Sequence, residues 1–475
     1  MRERITADIC VIGAGSGGLT VAAGAAQMGA DVVLIERGRM GGDCLNYGCV
    51  PSKALIAAAE AAEAVRRAPG FGVRPEAVHI DHAAVHDHIR GVVAAIAPHD
   101  SVERFEGLGV RVIAASARFL DPASVAVGNS QIFARRFVVA TGSSPMIPPI
   151  PGLATVPYLT NETVFDNHEP VGHLIVVGGG PIGMEIAQAH RRLGAEVTVL
   201  EAGQALANDD PELAGVVKRQ FEREGIALLE GAAVRSVAKS AAGIAVIAAI
   251  GNGPETRLEG THLLIATGRV PNLEGLALDK AGIAHSSRGI AVDSRLRTAN
   301  RRVFAIGDAI GGYRFTHVAG YQAGIVIRNA LFRLPAKADY RAVPWVTYTA
   351  PELANVGLTE AEARRRHGTI RVLRSSFADN DRARAERTTD GVLKVVTTAR
   401  GVILGAAIVG PHAGETIQLW CLAVAKRMKI GDVAGLILPY PTLGEISKRA
   451  AGSFFTPTLF GDATRRLVRL LRHLP

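Results

Sequence analysis

Cysteine is scarce in this chain. Only four of its 475 residues are cysteine, too few for the disulfide framework of a secreted protein. No apolar run reaches the roughly 18 residues of a membrane-spanning helix. The N-terminus MRERITADICVIGAG enters a strand pattern without the regions of a signal peptide. The sequence therefore predicts a cytoplasmic protein, in which two nearby cysteines serve redox chemistry or metal binding rather than a permanent disulfide.

The chain carries only a modest excess of positive charge. The formal net charge is +9, which is modest for this length, and aromatic residues make up only 5% of the chain. No basic stretch is interleaved with aromatic residues in the manner of nucleic-acid-binding proteins. The sequence therefore predicts no nucleic-acid partner. Apolar residues account for 48% and charged residues for 20%, as in an ordinary globular protein with several cores.

A repeat organises the first half of the chain. Residues 8–36 and 173–201 each contain an apolar strand, a glycine turn, a helix and a second strand that ends in an acid. Such a unit binds a dinucleotide, because its glycines admit a pyrophosphate at a helix N-terminus and its acid accepts from a ribose hydroxyl. Two nucleotides are therefore predicted. Their expected contacts, at identical spacing, are Gly13, Gly15, Gly18 and Glu36, and then Gly178, Gly180, Gly183 and Glu201.

Two more strands end in the same three residues. RRFVVATGSSP and LLIATGRVPN both stop in Ala-Thr-Gly, at Gly142 and Gly268. The backbone must turn tightly where a strand leaves a nucleotide domain, and glycine permits that turn. Both segments therefore fit the two predicted nucleotide domains.

Two of the four cysteines lie in one short segment. GGDCLNYGCVPSKALI, at residues 41–56, contains Cys44 and Cys49. A dithiol holds two electrons, so it can mediate between a hydride donor and an acceptor that needs contact with a thiolate. A zinc site would need two further ligands, whereas Cys10 lies inside the first strand and Cys421 in an apolar helical stretch. We expect these last two cysteines to be core residues.

Together these motifs resemble those of the pyridine nucleotide-disulfide oxidoreductases, which include dihydrolipoamide dehydrogenase, glutathione reductase and mercuric reductase. The resemblance extends through GGGPIGMEIA, VFAIGDAIGG, YTAPELANVGLTE and ILGAAIVGPHAGE. It implies an α/β fold with two Rossmann-like domains, for FAD and NAD, and a C-terminal α+β domain that forms a homodimer. The expected boundaries are 1–150 for the FAD domain, 151–275 for the NAD(H) domain, 276–343 for a return to the FAD domain and 344–475 for the interface domain.

The resemblance implies roles in the cysteine segment. Cys49 would lie beside the flavin as the charge-transfer thiol, and Cys44 would be the interchange thiol that meets the acceptor. Lys53, on a helix expected to begin near Pro51, would help to hold negative charge that develops on the flavin. It is expected to pair with Glu185, with an ordinary solvated lysine as the alternative.

Other implied residues contact the cofactors, FAD and NAD(H). Asp308 matches the family's acid that hydrogen-bonds the flavin ribityl chain, and it could also cap the following helix. Glu201 would accept from the 2′-hydroxyl of NADH and repel the 2′-phosphate of NADPH, and the AGQALANDD that follows it contains no arginine. NADH is therefore expected. Further contacts are expected at Gly42, Thr141 and Gly142 for FAD and at Gly268 for NAD.

The chain departs from its disulfide-reducing relatives near the C-terminus. Those relatives carry a His-Pro-Thr segment and a glutamate that act across the dimer, whereas this chain reads LPYPTLGEISKRAAGSFF. Tyr440 replaces the histidine and Glu445 matches the glutamate. A tyrosine pKa of about 10, against about 6.5 for histidine, makes Tyr440 a poor general base at neutral pH. Mercuric reductases have a tyrosine near this position, although this chain lacks their C-terminal cysteine pair and N-terminal metal-binding domain.

The sequence thus predicts an FAD-dependent oxidoreductase that passes electrons from NAD(P)H through Cys44 and Cys49 to a metal ion or another small acceptor. One alternative is a disulfide reductase of the dihydrolipoamide dehydrogenase type. A second is a low-turnover electron-transfer flavoprotein associated with a membrane or a protein partner.

Two further segments have alternative interpretations. HIDHAAVHDHIRG places His79, His82 and His86 at helical spacings, which indicates a helix surface more readily than a metal site. The tail ATRRLVRLLRHLP predicts a cationic amphipathic helix. It would dock onto its own domain or make a weak contact with a membrane surface or a partner. Its apolar face would hold Leu467, Leu470, Leu471 and Leu474, opposite Arg465, Arg466, Arg469 and Arg472.

Overall fold

The computed structural model describes residues 3–472, which separate into two units. The first unit contains the residues up to Gly178 together with 189–196 and 233–338, and the second contains 179–188, 197–232 and the residues from Asp339 onward. The segment 151–275, predicted as the NAD(H) domain, contributes residues to both units. The domain boundaries drawn from the sequence therefore stay predictions.

Strands and helices alternate through most of the chain. The strands are β1 (Glu3–Ile12), β2 (Val32–Glu36), β3 (Val110–Ala114), β4 (Ala117–Asp121), β5 (Ser124–Val127), β6 (Ser130–Val139), β7 (Ser143–Pro145), β8 (His173–Val177), β9 (Glu196–Glu201), β10 (Ala227–Glu230), β11 (Ala232–Ser240), β12 (Gly243–Ile250), β13 (Glu255–Gly260), β14 (His262–Ile265), β15 (Arg269–Pro271), β16 (His285–Ser286), β17 (Gly289–Ile290), β18 (Val303–Ala305), β19 (Pro344–Thr347), β20 (Glu352–Gly357), β21 (Ile370–Ser376), β22 (Val392–Thr398) and β23 (Ile403–Gly410). The α-helices are α1 (Ser16–Gln27), α2 (Gly42–Asn46), α3 (Cys49–Arg67), α4 (His82–Ile96), α5 (Val102–Gly107), α6 (Pro181–Arg192), α7 (Pro211–Arg223), α8 (Thr316–Ala330), α9 (Glu360–His367), α10 (Asp381–Ala385), α11 (Ala413–Thr416), α12 (Gln418–Ala425), α13 (Ile430–Ala434), α14 (Glu445–Ser453), α15 (Thr456–Leu459) and α16 (Asp462–Leu471).

The main sheet of the first unit is built around β1. This strand pairs in parallel with β2 and β6, β2 pairs with β3, and β6 also pairs with β18. Residues 9–12 of β1 are almost fully buried, because a parallel sheet is covered on both faces, and this explains their unbroken apolar run. Cys10 is fully buried in this core, which confirms the prediction for that residue.

The second repeat also forms parallel strands. In the first unit β8 pairs with β14, and in the second unit β9 pairs with β10. In each repeat the glycine turn follows the first strand directly and leads into a helix, α1 or α6. This order is the strand, turn and helix that a dinucleotide fingerprint requires.

An antiparallel sheet dominates the second unit. Its strand order is β19-β20-β23-β22-β21, and α12 and α14 pack against it. Trp420 is fully buried in this core, and its indole Nε1 donates to Ser447 Oγ over 3.2 Å. Cys421 is half-buried and packs against the same cluster. These layers form the α+β domain that the sequence predicted for the C-terminal part.

The histidine-rich segment differs from its predicted form. α4 begins only at His82, so His79 precedes the helix. His86 is buried against His168, with ring centroids 3.9 Å apart. The surface assignment of His86 was therefore wrong, because its packing partner comes from a distant part of the chain. Within residues 3–472 no group of three or more potential ligands could hold a metal ion.

The predicted tail helix forms as α16. It contains no buried residue, so the expected docking onto its own domain is not what the structure shows. Leu474, the last leucine predicted for its apolar face, lies outside the described residues. None of the helices described between residues 3 and 472 is long and apolar enough to span a membrane.

Candidate active site

The first glycine of each repeat lets the turn approach an Ala-Thr-Gly strand end. Gly13 has a φ of +107° and Gly178 a φ of +116°, values that favour glycine. A Cβ at Gly13 would lie 2.3 Å from the Ala140 carbonyl oxygen, and a Cβ at Gly178 would lie 2.4 Å from that of Ala266. Each Ala-Thr-Gly motif is therefore a close packing partner of one glycine turn.

The two strand-ending acids are bonded in the same way. Glu36 accepts from the backbone N–H groups of Ala14, at 2.6 Å, and Gly38, at 2.7 Å. Glu201 accepts from those of Gly179 and Gly203, both at 2.7 Å. Each acid thus fixes its own glycine turn. A carboxylate oxygen has two lone pairs, so both acids can still accept from a ribose hydroxyl.

The remaining glycines fit two dinucleotides. A Cβ at Gly15 or Gly180 would meet no atom within 4 Å, which leaves room for a pyrophosphate at the start of α1 and α6. A Cβ at Gly18 would lie 1.9 Å from the Gly13 carbonyl oxygen, so glycine there lets α1 pack onto the turn. Gly183 is buried in α6. The residues of both turns therefore suit FAD and NAD(H).

The cysteine segment lies against the first glycine turn. Gly41 forms an isolated parallel bridge with Gly15, and a Cβ at Gly42 would lie 2.7 Å from the Gly15 Cα. This approach places the segment next to the turn predicted to bind FAD. The prediction that Gly42 contacts FAD is consistent with that position and stays a prediction.

Cys44 and Cys49 are free thiols that influence each other's ionisation. Cys44 lies in α2 and is half-buried, and Cys49 is exposed. α3 begins at Cys49, two residues before Pro51, so the predicted start near Pro51 is confirmed. A proline fits in the first turn of a helix because no backbone N–H is needed there. Cys49 Sγ also lies 3.5 Å from the hydroxyl of Thr316, the first residue of α8.

These contacts shift the pKa values of the two thiols in opposite directions. The hydrogen bond from Cys44 lowers the pKa of Cys49 to about 6, with help from the Thr316 hydroxyl and the charge of Lys53. The same hydrogen bond and burial raise the pKa of Cys44. The N-terminus of α3 favours negative charge at Cys49 as well. The pair titrates as a unit, and its first proton leaves Cys49.

Arg269 joins the cysteine segment to two other parts of the first unit. Its partly buried guanidinium forms an ion pair with Asp43, next to Cys44, at 2.9 Å. Its Nε donates to Ser143 Oγ and its Nη2 to the Ser143 carbonyl oxygen, both over 2.7 Å. Ser143 Oγ donates in turn to Asp308 over 2.5 Å. The Asp308 carboxylate thus accepts a hydrogen bond from Ser143, and it does not cap the short helical turn in which it lies.

Several of these residues were not predicted from the sequence. Arg269 directly follows the second Ala-Thr-Gly motif, which was a usable signal, and Ser143 directly follows the first. Thr316 belongs to none of the motifs, so its place beside Cys49 could not have been inferred. Thr141, a predicted FAD contact, has a buried hydroxyl with no hydrogen-bond partner within the described chain. Gly268, the predicted NAD contact, has a φ of +133°.

Lys53 and Glu185 lie in different units. Lys53 is one turn beyond Cys49 on α3, and its Nζ lies 3.4 Å from Ser52 Oγ. Glu185 is buried in α6, where it accepts from the backbone N–H of Tyr348 over 2.9 Å. Their pairing stays a prediction.

Tyr440 and Glu445 belong to the second unit. Tyr440 is 70% exposed, and its hydroxyl donates to Asp381 over 2.9 Å. That hydrogen bond raises the pKa of the Tyr440 phenol. Glu445 begins α14 and accepts from the backbone N–H of Thr442 over 3.4 Å.

The sequence matches two family models in succession. The model for pyridine nucleotide-disulphide oxidoreductases matches residues 7–323, and the model for the dimerisation domain of the same enzymes matches residues 343–451. The chain belongs to the pyridine nucleotide-disulphide oxidoreductase family. This oxidoreductase is a homodimer that uses FAD and NAD(P)H, as the sequence predicted.

Curated relatives of the oxidoreductase include two kinds of enzyme. A mercuric reductase of Bacillus cereus is 35% identical over 450 residues, which cover 94% of this chain and 71% of the relative. A dihydrolipoyl dehydrogenase of Geobacillus stearothermophilus is 35% identical over 456 residues, which cover 94% of this chain and 96% of the relative. These relatives support the predicted FAD-dependent oxidoreductase activity without specifying the acceptor.

Solved structures share the fold. LpdA from Mycobacterium tuberculosis superposes with a TM-score of 0.85 at 28% identity, covering 95% of this chain and 99% of that one. A Cu(II) complex of the HOCl-induced flavoprotein disulfide reductase RclA from Escherichia coli gives a TM-score of 0.84 at 28% identity, covering 93% and 98%. The predicted α/β fold class, with two nucleotide-binding domains and a dimerisation domain, is confirmed.

Proposed function

We propose that this oxidoreductase passes electrons from NADH through FAD and the Cys44–Cys49 pair to a soft metal ion. The environment of Tyr440 carries the proposal. Its phenol donates to Asp381, which raises a pKa that is ordinarily about 10. Tyr440 therefore cannot replace the histidine that moves protons in disulfide-reducing relatives. A soft metal ion needs no such proton transfer, because thiolates bind it directly.

The thiol pair suits this acceptor. Cys49 is exposed and loses its proton at a pKa of about 6, so the reduced pair carries a thiolate at neutral pH. FAD, when bound, would relay the electron pair of the nicotinamide. Arg269 and Asp43 hold the segment that carries both thiols. Tyr440 and Glu445 of one protomer would lie close to the thiols of the other protomer. The reduced pair also suits the cytoplasm, which we propose as the location.

The names of relatives support the metal ion as well as its main alternative. One relative is a mercuric reductase, and one solved structure is a Cu(II) complex. The alternative is a disulfide substrate, which the dihydrolipoyl dehydrogenase favours because the chain covers 96% of its length. We favour the metal ion because the hydrogen bond from Tyr440 to Asp381 makes this residue a poor replacement for the histidine.

An acceptor comparison at constant NADH tests the proposal. Hg(II) or Cu(II) should reoxidise the reduced enzyme. Lipoamide and glutathione disulfide should reoxidise it about 10² to 10⁴ times more slowly than these metal ions do, because general acid-base catalysis usually contributes a factor of that size. Tyr440→His should raise disulfide turnover, and Tyr440→Phe serves as the matched control that lacks both the imidazole and the hydroxyl. NADH-to-flavin electron transfer should be unchanged in both variants.

Three results would count against the metal ion. Lipoamide turnover by the unaltered enzyme at about 10 per second or more, a usual enzyme rate, would favour the dihydrolipoamide dehydrogenase alternative. Metal reduction that persists after Cys44→Ser and Cys49→Ser would show that the two thiols do not pass electrons to the metal ion. Slow reoxidation by every acceptor, quinones included, would favour a low-turnover electron-transfer flavoprotein.

NADH is proposed as the donor because of Glu201. Its carboxylate ends β9 beside the second glycine turn. A negative charge there would repel the 2′-phosphate of NADPH and accept from the 2′-hydroxyl of NADH.

A further inference from the structure

The chain beyond α14 exposes an apolar surface. Phe454 and Phe455 still pack against the core of the second unit, and the Arg371 guanidinium lies 3.8 Å from the Phe454 ring centroid. From residue 456 to residue 472 no side chain is buried. The large apolar side chains of this segment are between 49% and 67% exposed, namely Leu459, Phe460, Leu467, Val468, Leu470 and Leu471. We call residues 456–472 the tail segment.

α16 separates its apolar and charged residues. Leu467, Leu470 and Leu471 are three and four residues apart, so they share one face of the helix. Four arginines occupy the rest of the helix and its end, and Asp462 is its single acid. The arginines are Arg465, Arg466, Arg469 and Arg472. Both surfaces are exposed together on one short helix.

The charge of this helix argues against a second copy of the chain as its partner. A twofold contact brings the same surface of two protomers together. Such a contact through the leucine face would leave the four arginines, most of which lie on the opposite side of α16, without an anionic partner. The tail segment also lies beyond residues 343–451, which match the dimerisation domain.

An anionic lipid surface satisfies both faces of the helix. Leucine side chains can enter the boundary between headgroups and acyl chains, and arginine guanidiniums can donate to lipid phosphates in pairs of hydrogen bonds. Helices of this composition lie in the plane of the interface rather than crossing the membrane. We propose that the tail segment binds the surface of anionic membranes, with α16 lying in the interface. This contact is independent of the electron acceptor.

Vesicle co-sedimentation of the full-length, FAD-loaded enzyme tests the proposal. Vesicles of phosphatidylcholine with phosphatidylglycerol should bind it, vesicles of phosphatidylcholine alone should bind it at least about tenfold more weakly, and added salt should weaken binding to the anionic vesicles. Arg465→Gln with Arg469→Gln should weaken that binding about 10- to 30-fold, since each surface charge contributes about fivefold.

Matched controls separate this contact from general surface effects. Arg365→Gln with Arg366→Gln removes two exposed charges from α9 and should leave binding unchanged. Leu470→Ser should weaken binding at least about fivefold, whereas Val73→Ser, at a similarly exposed site in the first unit, should not. NADH-to-flavin electron transfer should be the same in all four variants, because none of these residues belongs to the active site.

Several outcomes would overturn the proposal. Equal binding to neutral and anionic vesicles, or no binding to either, would exclude charge recognition of lipid. Equal losses in the α9 and α16 arginine variants would indicate a diffuse effect of net charge. A lower oligomeric mass for Leu470→Ser would assign the apolar face to a second copy. Binding to duplex DNA that survives Leu470→Ser, without binding to vesicles, would assign the arginines to nucleic acid.

Discussion

Cys49 occupies a position where four influences act on one sulfur. The thiol of Cys44, the hydroxyl of Thr316, the charge of Lys53 and the start of α3 all favour its thiolate. A thiolate next to a flavin gives a long-wavelength charge-transfer absorbance, whereas a thiol does not. With Cys49 beside the flavin, as the resemblance predicts, the ionisation of this sulfur can be followed by absorbance in the reduced enzyme.

We expect the charge-transfer absorbance of the reduced enzyme to rise with pH, with a midpoint of about 6, because Cys49 is protonated below that pKa and ionised above it. Thr316→Val should move the midpoint upward, since the hydroxyl stabilises the thiolate. Cys49→Ser should abolish the band, and Cys44→Ser should show it without prior reduction. A band that survives in Cys49→Ser would reverse the assignment of the two thiols.

Glu201 combines two tasks at one carboxylate. It holds the second glycine turn through Gly179 and Gly203, and it is predicted to select NADH. Glu201→Ala removes both contributions, so kcat/KM for NADH should fall and the preference over NADPH should shrink by about 1 to 3 kcal/mol. Glu201→Gln keeps a neutral acceptor and removes only the charge. A preference for NADPH in the unaltered enzyme would contradict the assignment.

At the scale of elements, the two glycine turns repeat one design. Corresponding glycines and acids of the two turns are separated by the same number of residues along the chain, and so are the donors of the hydrogen bonds that the acids accept. The sequence could predict these turns because every residue involved lies within one short unit or at the end of a neighbouring strand. Spacing along the chain was sufficient information for them.

Substitutions in these turns should separate folding from cofactor binding. Gly15→Ala meets no atom within 4 Å, so the protein should unfold at an unchanged temperature without FAD while retaining less FAD. Gly18→Ala would force a Cβ against the Gly13 carbonyl oxygen and should cost about 1 to 3 kcal/mol of stability. Gly180→Ala should raise the KM for NADH and leave FAD content intact. Loss of FAD in Gly180→Ala would contradict the division between the two turns.

Other element-scale features could not be predicted. Arg269 and Ser143 each follow an Ala-Thr-Gly motif, but their contacts with Asp43 and Asp308 join residues that are far apart in sequence, and no pattern indicates those partners. His86 was placed on a surface because α4 alone gives no sign of His168. The α16 helix was predicted from its own pattern, but its exposure depends on the surface around it.

At the scale of the whole molecule, the motifs were sufficient to predict the family, the cofactors and the homodimer. They did not determine the acceptor, because the relatives that share these motifs include both mercuric reductases and dihydrolipoyl dehydrogenases. Tyr440 shows this most directly. Its hydrogen bond to Asp381 lies within one chain, whereas the role proposed for it beside the thiols of the other protomer involves the dimer.

The homodimer carries two copies of the exposed tail segment, and this changes how it would bind a membrane. Each assembly carries two copies of α16, and each copy has a modest apolar face of its own. When both helices reach the same vesicle, the second contact forms at a high effective concentration, and the two attachments produce avidity that neither has alone. The enzyme would then discriminate steeply between membranes of different lipid charge. A small change in anionic lipid content would therefore move a large fraction of the enzyme between membrane and solution.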